Sequence, residues 1–268
     1  MGNGFEHFIV GTNCHFKYAQ GAPSVEGTEF HSYNEMVLFL EGESRLISAN
    51  IQLPLKHGSI VIIPREQFHQ FAVTAPENYV RCILGFESTD EFAPIIGEVM
   101  NEVAVISPPP AELRYVFDSL MRMATSPLPD EEKMLFLKSH VSQAILELKL
   151  FSGEHINRHV LLSPLTEQTL SYIDEHYSQP ISVAGIAKAL NTSPSSLSHK
   201  FKTDLSISVY RYLSEKRLSA ARQLVSQGES LTRAAFLCGF REYSCFFRLY
   251  KKHYRSKPSD RITEKESL

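Results

Sequence analysis

The hydrophobic positions change their period part-way along the chain. From Phe5 to about Phe86 they come in short runs, at residues 36–40, 60–63 and 79–84. Glu41-Gly42, Pro64 and Gly85 close these runs, and such residues favour turns. Short apolar runs bounded by turn residues predict buried strands, and several in succession favour a sandwich or barrel. Ser107-Pro108-Pro109-Pro110 then punctuates the chain. Residues 111–124 and 131–151 have helical character. In the second of these, Met134, Leu137, Val141, Ile145 and Leu148 recur at spacings of three and four, which puts them on one face. Leu135, Phe136 and Ala144 widen that stripe. A stripe of this width predicts a helix that covers the strand domain and keeps some apolar surface to pair with a second subunit. A helix packed only on its own domain is the alternative.

From Pro164 onward the pattern is helical. One run carries Leu170, Ile173 and Tyr177 on one face and stops at Pro180. Residues 181–190 form a short apolar-faced helix. Ser193-Pro194 then reads as an N-cap followed by proline at the first helical position. The next helix turns Leu197 and Phe201 inward, so Ser195, Ser198, His199 and Lys202 face outward. A longer helix, residues 209–227, has Tyr212, Leu213, Leu218, Ala221, Leu224 and Val225 as its core stripe. Gly228 ends it. A short helix at 231–237 follows, then Gly239, then a helix at 241–253 that buries Phe246 and Tyr250.

A short helix, a tight turn and a helix with an outward polar face therefore occur twice, at 182–190 with 193–202 and at 231–237 with 241–253. This is what a DNA-reading helix requires: one side held down by its supporting helix, the other free for the major groove. Arg248 can bond guanine through two nitrogens, Ser244 can bond a base or a phosphate, and an outward Phe247 can pack on a thymine methyl. Lys200, Lys202, Lys251 and Lys252 suit phosphate. One such unit alone is weak evidence; two in tandem, joined by one long helix, are far more specific.

Composition sharpens this picture at one point. The chain has 268 residues, enough for two modest domains, and a net charge of −3. The charge is divided unevenly. Residues 164–268 hold 16 Lys and Arg against 10 Asp and Glu, and the remainder holds 11 against 20. A basic C-terminal part on an acidic N-terminal part suits a polyanion-binding module joined to something else. No apolar run approaches the roughly 20 residues of a membrane span, and the N-terminus lacks a signal-peptide pattern. Cys14, Cys82, Cys238 and Cys245 are scattered, without a paired motif. A cytoplasmic location is the expectation.

At Ile186-Ala187, Ser193, Leu197, Phe201-Lys202, Tyr212-Leu213, Arg217-Leu218, Ala221, Leu224, Ala235, Gly239-Phe240, Ser244, Phe246, Arg248, Lys251-Lys252 and Pro258, the last hundred residues or so resemble the AraC/XylS family of bacterial transcription regulators. The resemblance implies two recognition helices reading adjacent major-groove segments on one face of promoter DNA. Carried over by position, the base-facing residues are Ser195, Ser198 and His199 in the first helix. In the second they are Tyr243, Ser244, Cys245, Phe247 and Arg248. Ser206, Arg255 and Arg261-Ile262 depart from the family pattern. The first helix is poor in arginine, so its direct readout should be the weaker. The resemblance also implies activation in preference to repression, a homodimer, and RNA polymerase as a further candidate partner.

The strand-rich part resembles the cupin-like barrel that precedes this module, through Gly27-Thr28-Glu29-Phe30-His31, Asn34-Glu35, Glu41-Gly42, His57-Gly58, Pro64 and His69. In metal-dependent cupin enzymes these motifs supply three histidines and a glutamate. Here His31, Glu35 and His69 match, and Tyr33 stands at the fourth position. The residues suit either a metal or a neutral polar ligand. The expectation is an effector pocket of His31, Tyr33, Glu35 and His69 for a sugar or small aromatic, with no metal and no cofactor. A metal-dependent enzyme and a ligand-free dimerisation domain stay open as alternatives. No nucleophile constellation and no phosphate-cradling loop is visible, so the chain is not read as an enzyme.

The fold class expected is therefore α+β. Residues 1–106 form a cupin-like sensor barrel, 107–152 its helical dimerisation segment, 153–163 a linker, and 164–268 a tandem helix-turn-helix domain.

Overall fold

The computed structural model describes residues 4–22, 28–48, 51–88, 93–151, 156–158, 162–205 and 207–254. The chain divides into two compact units, residues 1–160 and 161–267. The first is built of strands covered by helices and the second of helices, so the class is α+β.

The strands of the first unit are β1 (Glu6–Val10), β2 (Cys14–Gln20), β3 (Asn34–Glu41), β4 (Ser44–Ser48), β5 (Ile51–Pro54), β6 (Ile60–Ile63), β7 (Gln70–Val73), β8 (Val80–Phe86), β9 (Ala104–Ile106) and β10 (Ile156–Arg158). They form two antiparallel sheets, one ordered β1-β2-β8-β3-β6-β9-β10 and one ordered β5-β4-β7. No ladder closes one sheet onto the other among the described residues, so the expected barrel is two sheets. The chain crosses between them at Gly42, whose φ of 97° turns β3 away from β4. Periodicity marks the strands but carries no information on whether the sheet closes. The strand β10, inside the stretch expected to be a linker, pairs with β9.

The run Met36-Val37-Leu38-Phe39-Leu40 shows no alternation because β3 is buried on both faces. Met36, Leu38 and Leu40 join Ile60, Ile62 and Leu84 in a core on the helix side. Val37 and Phe39 join Val61, Ile63 and Leu46 on the other. Each such side chain is worth about 1.5–3 kcal/mol of burial, and together they fix the register that carries the residues next to them.

The helices are α1 (Ala93–Val99), α2 (Ala111–Ala124) and α3 (Asp130–Leu150). α2 buries Leu113, Val116, Phe117 and Leu120, and α3 buries Leu137, Val141, Ala144, Ile145 and Leu148. Both lie over β1 and β2. Leu135 does not join the buried stripe: it is 72% exposed, as are Leu146 at 47% and Leu150 at 77%. Leu135, Leu146 and Leu150 lie off the buried stripe, so α3 keeps an open apolar face.

The second unit holds α4 (Pro164–His176), α5 (Val183–Ala189), α6 (Pro194–Leu205), α7 (Val209–Ser226), α8 (Leu231–Leu237) and α9 (Tyr243–Tyr254). Serines 163, 182, 208 and 230 accept the backbone N–H three residues on and start α4, α5, α7 and α8. Ser193 does the same for α6, through Ser196 N at 3.0 Å, as Ser-Pro predicts. The α8–α9 pair packs on α7 through Leu218, Ala221, Ala234, Ala235, Phe246 and Tyr250. Phe201 of α6 meets Tyr212 of α7 edge-on at 5.8 Å.

Candidate nucleic-acid interface and ligand site

The helix α6 buries Leu197, Phe201 and Leu205 and leaves Ser195, Ser198, His199 and Lys202 exposed. These are the side chains expected to face DNA. Lys200 differs. It is half-buried, and its Nζ lies 3.1 Å from Asp204 Oδ1, so its charge is partly spent within the unit. In α9 Phe246 and Tyr250 are buried, and Ser244, Arg248 and Lys251 are exposed. Tyr243, Cys245 and Phe247 are half-buried. The Tyr243 ring packs 5.7 Å from Phe246, so Tyr243 serves the core as well as the surface. Lys252 lies on α9, but its side chain is outside those described, as are the family departures Ser206, Arg255 and Arg261-Ile262. Arg241, exposed at the entry to α9, adds a cation beside this face. Its signal was its place between Phe240 and the helix start.

In the first unit, Glu35 is the second residue of β3, opposite Gly85 of β8 and Ile63 of β6. Two loops bring histidines to it. Glu29 and His69 bridge through their backbones, and Glu66 N bonds His31 O at 2.7 Å. The side chains of His31, Glu35 and His69 are 10%, 5% and 0% exposed. Each imidazole Nε2 lies 3.5 Å from Glu35 Oε2. The other nitrogens are spoken for: His31 Nδ1 donates to Tyr33 O at 2.7 Å, and His69 Nδ1 donates to Gln67 O at 3.1 Å. A carbonyl only accepts, so each ring keeps its proton on Nδ1 and turns Nε2 toward Glu35.

Electrostatics follow from this packing. Burial alone would raise the Glu35 carboxyl, but His31 and His69 outweigh it and hold it well below the usual carboxylate range. Burial would lower His69, but Glu35 raises it. Tyr33 lies against the cluster: its ring stacks on His31 at 4.0 Å and 4°. Two neighbours were missed from sequence. Glu29 is pushed up to about 7 by burial, against the pull of His69. His15 of β2 lies over Gly85, where a Cβ would come within 2.1 Å of its ring, and burial lowers it to about 4. The alternation His15, Lys17, Ala19 in β2 was the available signal. His57 donates to Leu40 O and stays outside the cluster. An open groove of about 480 Å³ beside Arg45, Gln52 and Thr74 on the three-stranded sheet is lined by none of these residues.

A family model described as a helix-turn-helix domain matches residues 186–262. The activator RhaS of Klebsiella pneumoniae is 31% identical over 94 residues, 35% of this chain and 34% of that protein. The chain carries the AraC-type DNA-binding domain. The xylose operon regulatory protein of Haemophilus influenzae is 22% identical over 242 residues, 88% of this chain and 58% of that protein. The chain thus spans less than two thirds of these curated relatives. A solved structure of ToxT from Vibrio cholerae covers 96% of both chains at 14% identity and a TM-score of 0.46.

Within the AraC-type domain, α4 ties both helix-turn-helix units together. At its N-terminus Asp204, only 3% exposed, accepts from Ser163 N at 3.1 Å, Thr166 Oγ1 at 2.7 Å and the Ser163 hydroxyl. This bonds the end of α6 to the start of α4. At its C-terminus Tyr177 O accepts from Arg217 Nε at 2.7 Å, and Gln179 O from Arg217 Nη2 at 2.8 Å. Lys216 pairs with Asp174 at 3.0 Å. Gly239, at φ 85°, brings the α8–α9 turn against the same end, where a Cβ would lie 2.7 Å from Tyr177 O. One short helix therefore sets the relative pose of α6 and α9. Among the described residues no helix is long and apolar enough to cross a membrane.

Proposed function

We propose that this protein is a cytoplasmic, homodimeric transcription activator that reads promoter DNA with α6 and α9 and responds to a small effector bound near His31, Tyr33, Glu35 and His69. The observation that carries the DNA reading is that α6 and α9 each bury rings on one side and expose polar and basic groups on the other, on a frame held by α4. The open face of α3, with Leu135, Leu146 and Leu150, supports pairing of subunits. The buried polar cluster between the two sheets supports a cupin-like sensor, and the name of the xylose operon relative supports a sugar-class effector. RNA polymerase is a further partner of an activator. The protein acts by binding rather than by chemistry, as its relatives' names suggest. The effector changes the relation between the two DNA-binding domains of the dimer.

Arg248 and Lys251 test this reading. Arg248→Ala is expected to lower affinity for a specific site by about 1–3 kcal/mol and to relax one base position. Lys251→Ala should weaken specific and random DNA alike and flatten the salt dependence. Fluorescence anisotropy on matched specific and scrambled duplexes at several salt concentrations separates them. Equal losses on both duplexes for both variants would mean that Arg248 meets phosphate and that α9 does not read bases.

A further inference from the structure

We propose that Glu242 is a specificity-determining residue that selects cytosine in the DNA segment α9 enters, an inference that rests on α9 being a base-reading helix. Glu242 is the residue on which α9 begins: its carbonyl accepts from Cys245 N at 3.2 Å and from Phe246 N at 3.4 Å. The other five helices of this unit begin on Ser163, Ser182, Ser193, Ser208 and Ser230, and each of these side chains accepts a backbone N–H of the first turn. Short side chains suit that place because their oxygen sits close to the backbone. The Glu242 carboxylate is held farther out, and among the described residues it accepts from no backbone N–H. It is exposed beside Tyr243 and Ser244, at the end of the helix whose residues meet base edges.

Charge and hydrogen bonding together say what such a group recognises. Arg241, Arg248 and Lys251 are exposed on and beside α9, which itself carries no acidic residue. Among the described residues Glu242 forms no ion pair with any of them. A bare carboxylate on a face that meets phosphate weakens binding to every sequence except one that gives it a donor. The exposed Ser244 hydroxyl donates to Glu242 Oε2 at 3.4 Å. With that proton committed, the pair turns only oxygen lone pairs outward. In the major groove cytosine offers its N4 amino group with no acceptor on the same base. Adenine sets the N7 acceptor beside its amino group, guanine offers O6 and N7, and thymine offers O4 and a methyl. An acceptor-only pair therefore fits cytosine, fits adenine poorly and is repelled by guanine and thymine. Glu242 and Arg248 are six residues apart, roughly 9 Å along a helix, and base pairs stack ~3.4 Å apart, so the two read different base pairs.

The test is selection of sites from a random DNA pool by full-length wild type, Glu242→Gln, Glu242→Ser and Arg248→Ala at one stated salt concentration. Fluorescence anisotropy follows on the selected duplex, its single-base replacements and a scrambled duplex. Wild type should fix cytosine at one position of the α9 segment, distinct from the position that Arg248→Ala relaxes. Replacing that cytosine should weaken binding roughly ten- to a hundredfold. Glu242→Gln should move the preference to adenine, which an amide bonds through N6 and N7. Glu242→Ser supplies the cap the other helices use, so its melting temperature should match or exceed that of wild type. It should lose the cytosine preference and bind scrambled DNA at least as tightly as wild type. A residue that only starts the helix would, when changed, weaken all duplexes alike and leave every base preference intact; that result overturns the proposal. The wild-type measurements need no variant to fold: a selected site with no cytosine requirement in the α9 segment overturns the proposal and leaves base reading by Arg248 standing. A wild-type protein that selects no site overturns base reading by α9, and this inference with it.

Discussion

Replacing Gly239 by alanine is expected to destabilise the AraC-type domain by about 3 kcal/mol. Two costs add. The residue sits at φ 85°, where an L side chain meets its own carbonyl, at about 1–2 kcal/mol. The new Cβ would also lie 2.7 Å from Tyr177 O, 2.8 Å from Ser178 O and 2.9 Å from Ser178 C. All three are backbone atoms, so no side chain can swing aside. The chain must lift the α8–α9 turn off the end of α4, and one of the carbonyls there, Tyr177 O, is also held by Arg217. Hydrogen exchange of the full-length protein reads the effect locally. Amides of α4, α8 and α9 should exchange faster by a factor of a hundred or so, while those of β3 and β8 stay unchanged. Wild-type protection in α9 would show that the turn has room to spare.

The second large effect is expected at the other end of α4. Asp204→Ala should destabilise the domain by about 3 kcal/mol, because it strands Ser163 N, two hydroxyls and Lys200 around a vanished carboxylate. The pH dependence isolates the charge. Burial works to raise the Asp204 carboxyl, but hydrogen bonds from Ser163, Thr166 and Lys200 more than offset it and hold it down to about 2. A carboxyl lowered on folding adds stability above its unfolded value of 3.8 and loses it as pH falls toward 2. That difference is worth about 2 kcal/mol. Against Asp204→Asn, wild type should therefore be more stable at neutral pH, with the gap narrowing below about pH 4. A gap that stays constant from pH 6 to about pH 2.5 would mean that the carboxylate charge plays no part in the clamp.

These two sites mark where the sequence was and was not legible. Gly239 reads as a turn from its place between two short helices, but nothing local says that α4 closes over it. Lys200 and Asp204 lie four apart on one helix, a pairing the sequence shows, and yet Lys200 reads more readily as a phosphate contact. What the sequence does not show is that Ser163 and Thr166, from about forty residues away, also bond Asp204. Both helix-turn-helix units were legible because each needs only local signals: a serine cap, an apolar pair one turn apart, an outward polar face. The sheets were less so. The run at β3 announces a strand but not that it divides two cores, and no periodicity says that β4, β5 and β7 stand apart. In the ligand cluster, His31, Glu35 and His69 were found through the resemblance to the cupin motifs. Tyr33 was placed beside them by the same motif, and its ring lies flat on His31. That stacking depends on side-chain packing, which the motif does not encode.

The central claim is that both helices read bases. It is tested most directly by selecting bound sites from a random DNA pool with the full-length protein at stated salt, beside Arg248→Ala. The account predicts an extended site with two major-groove segments per subunit, and a variant that loses information in the segment read by α9 only. Recovery of sequences no different from the starting pool would contradict it.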